Sequence, residues 1–394
     1  MVYNFDEAVC RRNTNCEKWD NCTERFGKED LLPLWVADMD FKTPDFIINA
    51  LRQRLEHEIL GYQIRPASFY NAVKNWLQQR GWQIDTQKIS FSPGVVPAIN
   101  FAVNAFTNPG DKILINTPVY HPFIYAVNNH GRTLVKSSLV NSGNGYYTVD
   151  FDDFENKLAD GVKMFILCSP HNPVGRVWTL DELNKIGELC LKYNVLVISD
   201  EIHSDLVFAP HKHIYFASIS KEIADQTITF IAPSKTFNVA GLSSSIIYSG
   251  NQALHEKISK YVSRLGVSAG TIFGDIALET AYTHGYEWLS QLLKYLDGNF
   301  EYVVDYLKKY IPCIKTRKPE GTYLMWLDCS ELNMTSSQIH EFLVSKAGLA
   351  LNSGHIFGDE GDLFVRLNVA TQRAILVKAM DSLHNAIEQN KSLK

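Results

Sequence analysis

The strongest constraint on the fold of this chain is the regular alternation of short apolar runs with amphipathic stretches. Residues 112–116, 164–168, 195–199 and 227–231 are five-residue runs, largely apolar or β-branched and flanked by turn residues, the pattern of strands buried on both faces. Between the second and third, residues 179–193 carry a different period. Thr179 followed by Glu182 has the spacing of a capping box, and Leu180, Leu183, Ile186, Leu189 and Cys190 form one apolar stripe, so a helix is predicted there. Strand, helix and strand in repetition imply an α/β fold, a mainly parallel sheet covered by helices on both faces. Ligands of such sheets bind beyond the carboxyl ends of the strands, so the polar residues after each run are the first candidates for chemistry.

A chain of 394 residues favours two domains, or one large domain with an appendage. From about residue 287 the texture shifts to long helical patterns, then to runs at 323–328 and 363–369 that read as strands of a smaller unit. Residues 1–43 show no strong periodicity. The expected organisation is an N-terminal arm, 1–45, that is part of a small domain; a large domain, 46–286; and a smaller α+β C-terminal domain, 287–394. No repeat, low-complexity tract or linker separates independent modules.

Composition removes several classes of function. With 45% apolar and 21% charged residues the chain is of ordinary globular type. Its 38 basic and 43 acidic residues give a net charge of -5 and form no dense basic run, so no nucleic-acid partner is expected. The N-terminus lacks the basic start and apolar core of an export signal, and no apolar run approaches the roughly 18 residues that span a bilayer. Seven scattered cysteines fit reduced thiols in the cytoplasm better than a disulfide framework. Cys10, Cys16 and Cys22 recur every six residues, but no CxxC pair or nearby histidine completes a ligand set, so no metal is expected. No GxGxxG follows a strand, which argues against a nicotinamide enzyme.

Four motifs follow strands or enter helices. Ser92-Pro93-Gly94-Val95-Val96-Pro97 leads into the apolar-periodic stretch 98–106; a glycine turn that opens a helix presents free N–H groups suited to a phosphate, although many such turns bind nothing. After the run 164–168, prolines on both sides of Asn172 fix its backbone, so its amide is either held rigidly above the strand end or merely closes a turn. Asp200 is the first polar group to follow a buried run apart from Ser199, and a carboxylate there is costly unless a cation meets it. That cation could be a metal, but further ligands at suitable spacing are missing; a protonated pyridine nitrogen meets the same need. Lys235 follows the run 227–231. A lysine at such a place is usually solvated, yet in a semi-apolar site its amine becomes nucleophilic enough to form a Schiff base. The order phosphate turn, asparagine, aspartate, lysine raises the second reading of all four together.

With these motifs the sequence resembles the fold-type I pyridoxal-phosphate (PLP) enzymes of the aspartate aminotransferase superfamily, and more narrowly their cystathionine β-lyase or carbon–sulfur lyase branch. The narrower resemblance rests on Trp35-Val36-Ala37-Asp38-Met39-Asp40-Phe41, Thr117-Pro118-Val119-Tyr120, the stretches 169–178, 199–205 and 232–242, Glu320-Gly321-Thr322-Tyr323-Leu324, and Val365-Arg366, which cover nearly the whole chain. It implies that Lys235 forms the Schiff base with PLP, Asp200 pairs with the pyridine nitrogen, Asn172 donates to the phenolic oxygen with His203 nearby, and Tyr120 stacks on the ring. Backbone amides of Val95 and Val96, with Ser234, would hold the phosphate. Tyr62, in Gly61-Tyr62-Gln63, would reach the phosphate of a neighbouring subunit, which implies a homodimer with shared sites. Arg366 would grip the substrate carboxylate through its paired donors, the Ala37 backbone completing the clamp. Two departures from the transaminase pattern, Ser243 in place of an arginine and Ala232 in place of a serine, favour the lyase branch.

The reaction so implied is α,β-elimination from L-cystathionine, L-cysteine or a related S-conjugate, with Lys235 as general base and Lys235 or Tyr120 as proton donor to the leaving sulfur. An aminotransferase is the first alternative, because both reactions begin by removing the same proton. A regulatory binding protein on the same fold is the second, against which stand intact Lys235, Asp200 and Arg366.

Overall fold

The structure, a computed structural model, describes residues 2–391; Met1 and residues 392–394, the outermost ends of the expected arm and small domain, lie outside the described residues. Seven strands form the central sheet: Ile89–Ser92 (β1), Lys112–Thr117 (β2), Thr133–Ser138 (β3), Val162–Cys168 (β4), Leu196–Asp200 (β5), Thr227–Ile231 (β6) and Ser245–Tyr248 (β7), in the order β1-β7-β6-β5-β4-β2-β3. Strands β2 to β6 run parallel, and β7 is antiparallel to both neighbours. The four runs singled out in the sequence are β2, β4, β5 and β6.

The period of two sorts the strand side chains onto two faces. Ile115, Ile166, Ile198 and Ile228 are register partners across four strands, and none is more than 1% exposed. They share a cluster with Val95, Ala98, Ile99, Ala102 and Val103, the apolar stripe of helix Val95–Phe106 (α1). On the opposite face Leu114, Phe165 and Val197 pack with Leu183, Ile186, Leu189 and Cys190 of helix Leu180–Lys192 (α2). Truncating any one of these isoleucines to alanine should cost about 2–5 kcal/mol. The start of α2 carries the expected capping box: Thr179 Oγ1 accepts from the Glu182 N–H at 3.2 Å and the Glu182 carboxylate accepts from the Thr179 N–H at 2.8 Å.

A second, antiparallel sheet comprises Lys315–Thr316 (β8), Leu324–Asp328 (β9), Asn352–Ser353 (β10) and Phe364–Asn368 (β11), ordered β8-β9-β11-β10. Helices Tyr286–Tyr310 (α3) and Arg373–Lys391 (α4) pack beside it, and their buried residues join one cluster with the N-terminal segment. That segment is anchored rather than loose. Leu32–Pro33 pairs with Leu349–Ala350, and the Leu34 carbonyl accepts from the Asn368 N–H at 2.9 Å. Lys18, fully buried, lies 2.7 Å from Asp40 and 3.7 Å from Asp38, and Arg11 pairs with the same two carboxylates. These ion pairs fix residues 38–40 and so bring Ala37 to the strand ends.

Candidate active site

The loops after β2, β4, β5 and β6 deliver Tyr120, Asn172, His203 and Lys235 to one place, with Asp200 as the last residue of β5. With the N-terminus of α1 they enclose a cavity of about 170 Å³. Ala37, Val95, Val96, Tyr120, Asn172, Asp200, His203, Ser234 and Lys235 all line it. Arg366 stands behind the wall, donating from Nη1 to the Asn172 amide oxygen at 3.1 Å. Tyr62 is fully exposed and lines no part of this cavity.

Lys235 is a buried amine whose Nζ donates to the Ala37 carbonyl oxygen at 2.7 Å. Burial, with Arg366 nearby, lowers its pKa to about 8 against the opposing pull of Asp38 and Asp200. Asp200 is 4% exposed and accepts from the Ile202 N–H at 3.1 Å. Burial pushes its pKa up to about 7, an acid awaiting a cation. His203 is kept neutral, its pKa lowered to about 3 by burial and by the charges of Lys235 and Arg366, and its Nδ1 has no hydrogen-bond partner among the described residues. Burial likewise raises the Tyr120 phenol. The anion-binding end of the cavity is α1, which Gly94 opens without a side-chain cap, leaving its first N–H groups unclaimed by side chains. Ser243 and Ser244 line the same cavity, and Ser244 Oγ is buried without a partner among the described residues.

Arg366, on β11, is 3% exposed. Its Nη2 donates to the Trp35 carbonyl at 2.9 Å, its Nε has no partner among the described residues, and burial lowers its pKa to about 10, which leaves it charged at neutral pH. The turn after β4 reaches this region only because residue 175 is glycine. Its φ is +72°, a Cβ there would stand 2.5 Å from Pro319 Cβ, and its carbonyl accepts from the N–H groups of Glu320 and Gly321. Sequence reasoning missed Tyr323 as a positioning group: its hydroxyl donates to the Ala37 carbonyl at 2.7 Å, so that one oxygen serves both Tyr323 and Lys235. It also missed Ser244, whose signal is the serine triplet 243–245, and Cys168, a buried thiol in the cavity wall.

Comparison with known proteins places the architecture in a class: the model of the family described as aminotransferase class I and II matches residues 29–383, and the chain belongs to that family. Within it, cystathionine beta-lyase PatB of Bacillus subtilis (strain 168) is 42% identical over 386 residues, covering 98% of this chain and 100% of that protein. Among solved structures, the PLP-bound putative aminotransferase from Clostridium difficile 630 superposes with a TM-score of 0.96 at 46% identity, covering 98% of this chain and 100% of its own. Cystalysin from Treponema denticola, whose crystal structure contains a pyridoxal 5'-phosphate cofactor, superposes with a TM-score of 0.95 at 39% identity and covers 100% of both chains.

Proposed function

We propose that this chain is a PLP-dependent carbon–sulfur β-lyase, which cleaves L-cystathionine, L-cysteine or a related S-conjugate by α,β-elimination to pyruvate, ammonia and a thiol. The observation that carries this reading is Lys235: a buried amine with a pKa near 8 and, among the described residues, a carbonyl as its only hydrogen-bond partner, in one cavity with the buried acid Asp200. The likeness to PatB over 98% of the chain supports the lyase over the aminotransferase reading.

The donor set fits PLP. Each part of the cofactor would find a group of the right polarity: the N–H groups of Val95 and Val96 with Ser234 and Ser244 for phosphate, Asp200 for the protonated ring nitrogen, Asn172 for the phenolic oxygen, Lys235 for the aldehyde; the Ser244 Oγ is buried without a partner among the described residues. When bound, PLP supplies an aldehyde carbon and a ring that takes up electron density.

The remaining chemistry falls to the chain. Tyr120, in the cavity wall, would stack on the ring of the bound cofactor, where an aromatic contact contributes about 1 kcal/mol beyond burial. His203 stays uncharged, so it offers Asp200 no competing cation. Arg366 orients the substrate through its carboxylate, with Trp35 and Asn172 fixing the plane of the guanidinium. The Ala37 carbonyl is occupied, so only the Ala37 N–H is left to complete that clamp. Lys235 takes the Cα proton, an assignment that suits an amine whose pKa burial has brought close to neutral. Lys235 or Tyr120 then returns a proton to the leaving sulfur. The exposed Tyr62 is assigned to the phosphate of the opposite site in a homodimer, and the enzyme to the cytoplasm; no helix among the described residues is long and apolar enough to cross a membrane.

Incubation of the purified protein with L-cystathionine and no added keto acid should release pyruvate. A strict keto-acid requirement would instead establish the aminotransferase.

A further inference from the structure

Two carboxyl groups stand side by side at the end of β5, and the chemistry assigned above uses only Asp200. The period of the strand turns Asp200 into the cavity, on the side of Ile198 and α1. It turns Glu201 to the opposite face, where Val197 and Phe216 share a cluster with the apolar stripe of α2. The ladder continues past the last strand residue, because the Glu201 N–H donates to the Phe230 carbonyl at 2.9 Å. One peptide unit therefore separates two buried acids that face opposite sides of the sheet.

The protein solvates the two unequally. Glu201 is fully buried, yet three groups converge on it: Ser199 Oγ at 2.7 Å and the Phe216 N–H at 3.2 Å donate to Oε1, and His213 Nε2 lies 2.7 Å from Oε2. Asp200 accepts from one backbone N–H, that of Ile202. His213 is itself buried, and its Nδ1 has no partner among the described residues. A neutral imidazole that donates from Nε2 leaves only a bare lone pair at Nδ1, whereas an imidazolium would bury an unmet charged N–H, so the site suits the neutral donor. The full negative charge then stays on Glu201. Other titratable groups flank the pair on both sides. Tyr120, Cys168, His203 and Lys235 stand on the cavity side, with Arg366 behind the wall. On the far side Tyr215 lies 4.7 Å from the His213 ring, and beyond it Asp205 is paired with Arg80 at 2.7 Å. Lys235 draws Asp200 towards ionisation, while burial and the Glu201 charge push the other way and prevail.

We infer that Glu201 is a positioning residue of the active site, a fixed negative charge behind the strand that makes Asp200 the carboxyl of the pair that carries the proton. Like charges one residue apart in a dry interior resist joint ionisation, and the three donors decide which of the two stays charged. The proton is thereby held on the cavity side, where a ring nitrogen would share it. This role rests on the reading of the cavity as a cofactor site, and it serves a lyase and an aminotransferase alike.

The test begins with the full chain free of cofactor and labelled at its aspartate carboxyl carbons, the resonance of residue 200 being identified by its loss in Asp200→Asn. In wild type that carbon should titrate near pH 7 by carbon NMR. Glu201→Gln keeps the shape and hydrogen-bonding capacity of the side chain and removes its charge, so the midpoint should fall by about one pH unit. His213→Lys, which sets an ammonium against Glu201, should lower it in the same sense and decides the matter should Glu201→Gln fail to fold. His213→Gln retains a donor without a charge and should leave the midpoint in place. A binding measurement runs in parallel with deoxypyridoxine phosphate, a cofactor analogue with a methyl group in place of the aldehyde. By nitrogen NMR of the labelled analogue, its ring should lose its proton at a pH about one unit lower in Glu201→Gln than in wild type. A midpoint of Asp200 that is unmoved or raised in Glu201→Gln, or that shifts as far in His213→Gln, overturns the role of Glu201. If the analogue does not bind wild type, the cofactor reading fails instead, and the carbon titration still decides whether Glu201 governs the proton of Asp200.

Discussion

The interior of this chain buries cations in two regions and treats them in opposite ways. Lys18 is wedged between Asp40 and Asp38, and Arg176, 2% exposed, lies between Glu182 at 2.8 Å and Glu320 at 2.9 Å. At the cavity Lys235 meets only the Ala37 carbonyl, and Arg366 meets an amide oxygen and a carbonyl while its Nε meets nothing. Removing a charge from water costs several kcal/mol unless an opposite charge is close. The first pair is therefore complete as it stands and holds segments together. The second is incomplete, a state that persists because the surrounding fold over-determines it and that an anionic or electrophilic ligand relieves.

The largest test of this contrast is Lys235→Ala. Turnover should fall by at least the 10²–10⁴-fold typical of a lost proton-transfer group, and the yellow absorbance of bound PLP should vanish. The melting temperature of the cofactor-free protein should not fall; a drop there would put Lys235 with Lys18 as a structural ion. Next in size, Arg176→Met should destabilise the fold by about 3–5 kcal/mol in denaturant titrations, because it strands the carboxylates of Glu182 and Glu320, while turnover per folded molecule is kept.

The pH dependence of the cofactor-free protein sharpens the contrast further. Between about pH 8 and 10.5 the unfolded chain still holds the proton of residue 235 that the folded chain has shed, so stability rises with pH there by up to roughly 3 kcal/mol. Asp200 acts in the opposite sense. Folded, it keeps a proton that the unfolded chain loses, so its contribution is present below pH 3.8 and is lost as pH rises through about 7. Lys235→Met should flatten the upper limb of the denaturation midpoint against pH and, by removing the positive charge that lowers the Asp200 pKa, move the lower limb to higher pH. Smallest is Arg366→Gln, expected to raise KM for the amino-acid substrate about 10- to 100-fold, with folding stability held or slightly increased.

What could be read from residues alone follows from burial. Strands β2, β4, β5 and β6 lie inside the sheet, so each is an apolar run with a turn behind it. β1 and β3 are edge strands and carry Ser90, Ser92, Lys136, Ser137 and Ser138, which blurs their pattern; β7 is only four residues long and opens on Ser245. Asn172, Asp200 and Lys235 were legible because they stand at or just beyond strand ends. The Trp35 and Ala37 carbonyls were not legible as partners of Arg366 and Lys235, since a backbone oxygen has no residue-type signature and its partner lies 331 or 198 positions away.

The oxygen of residue 37 is shared by side chains at 235 and 323, and the neighbouring carbonyls of Trp35, Val36 and Asp38 are claimed by residues 366 and 368. The floor of the pocket is thus joined from segments 331 positions apart, and contacts of such long sequence separation are the slow ones to form in folding.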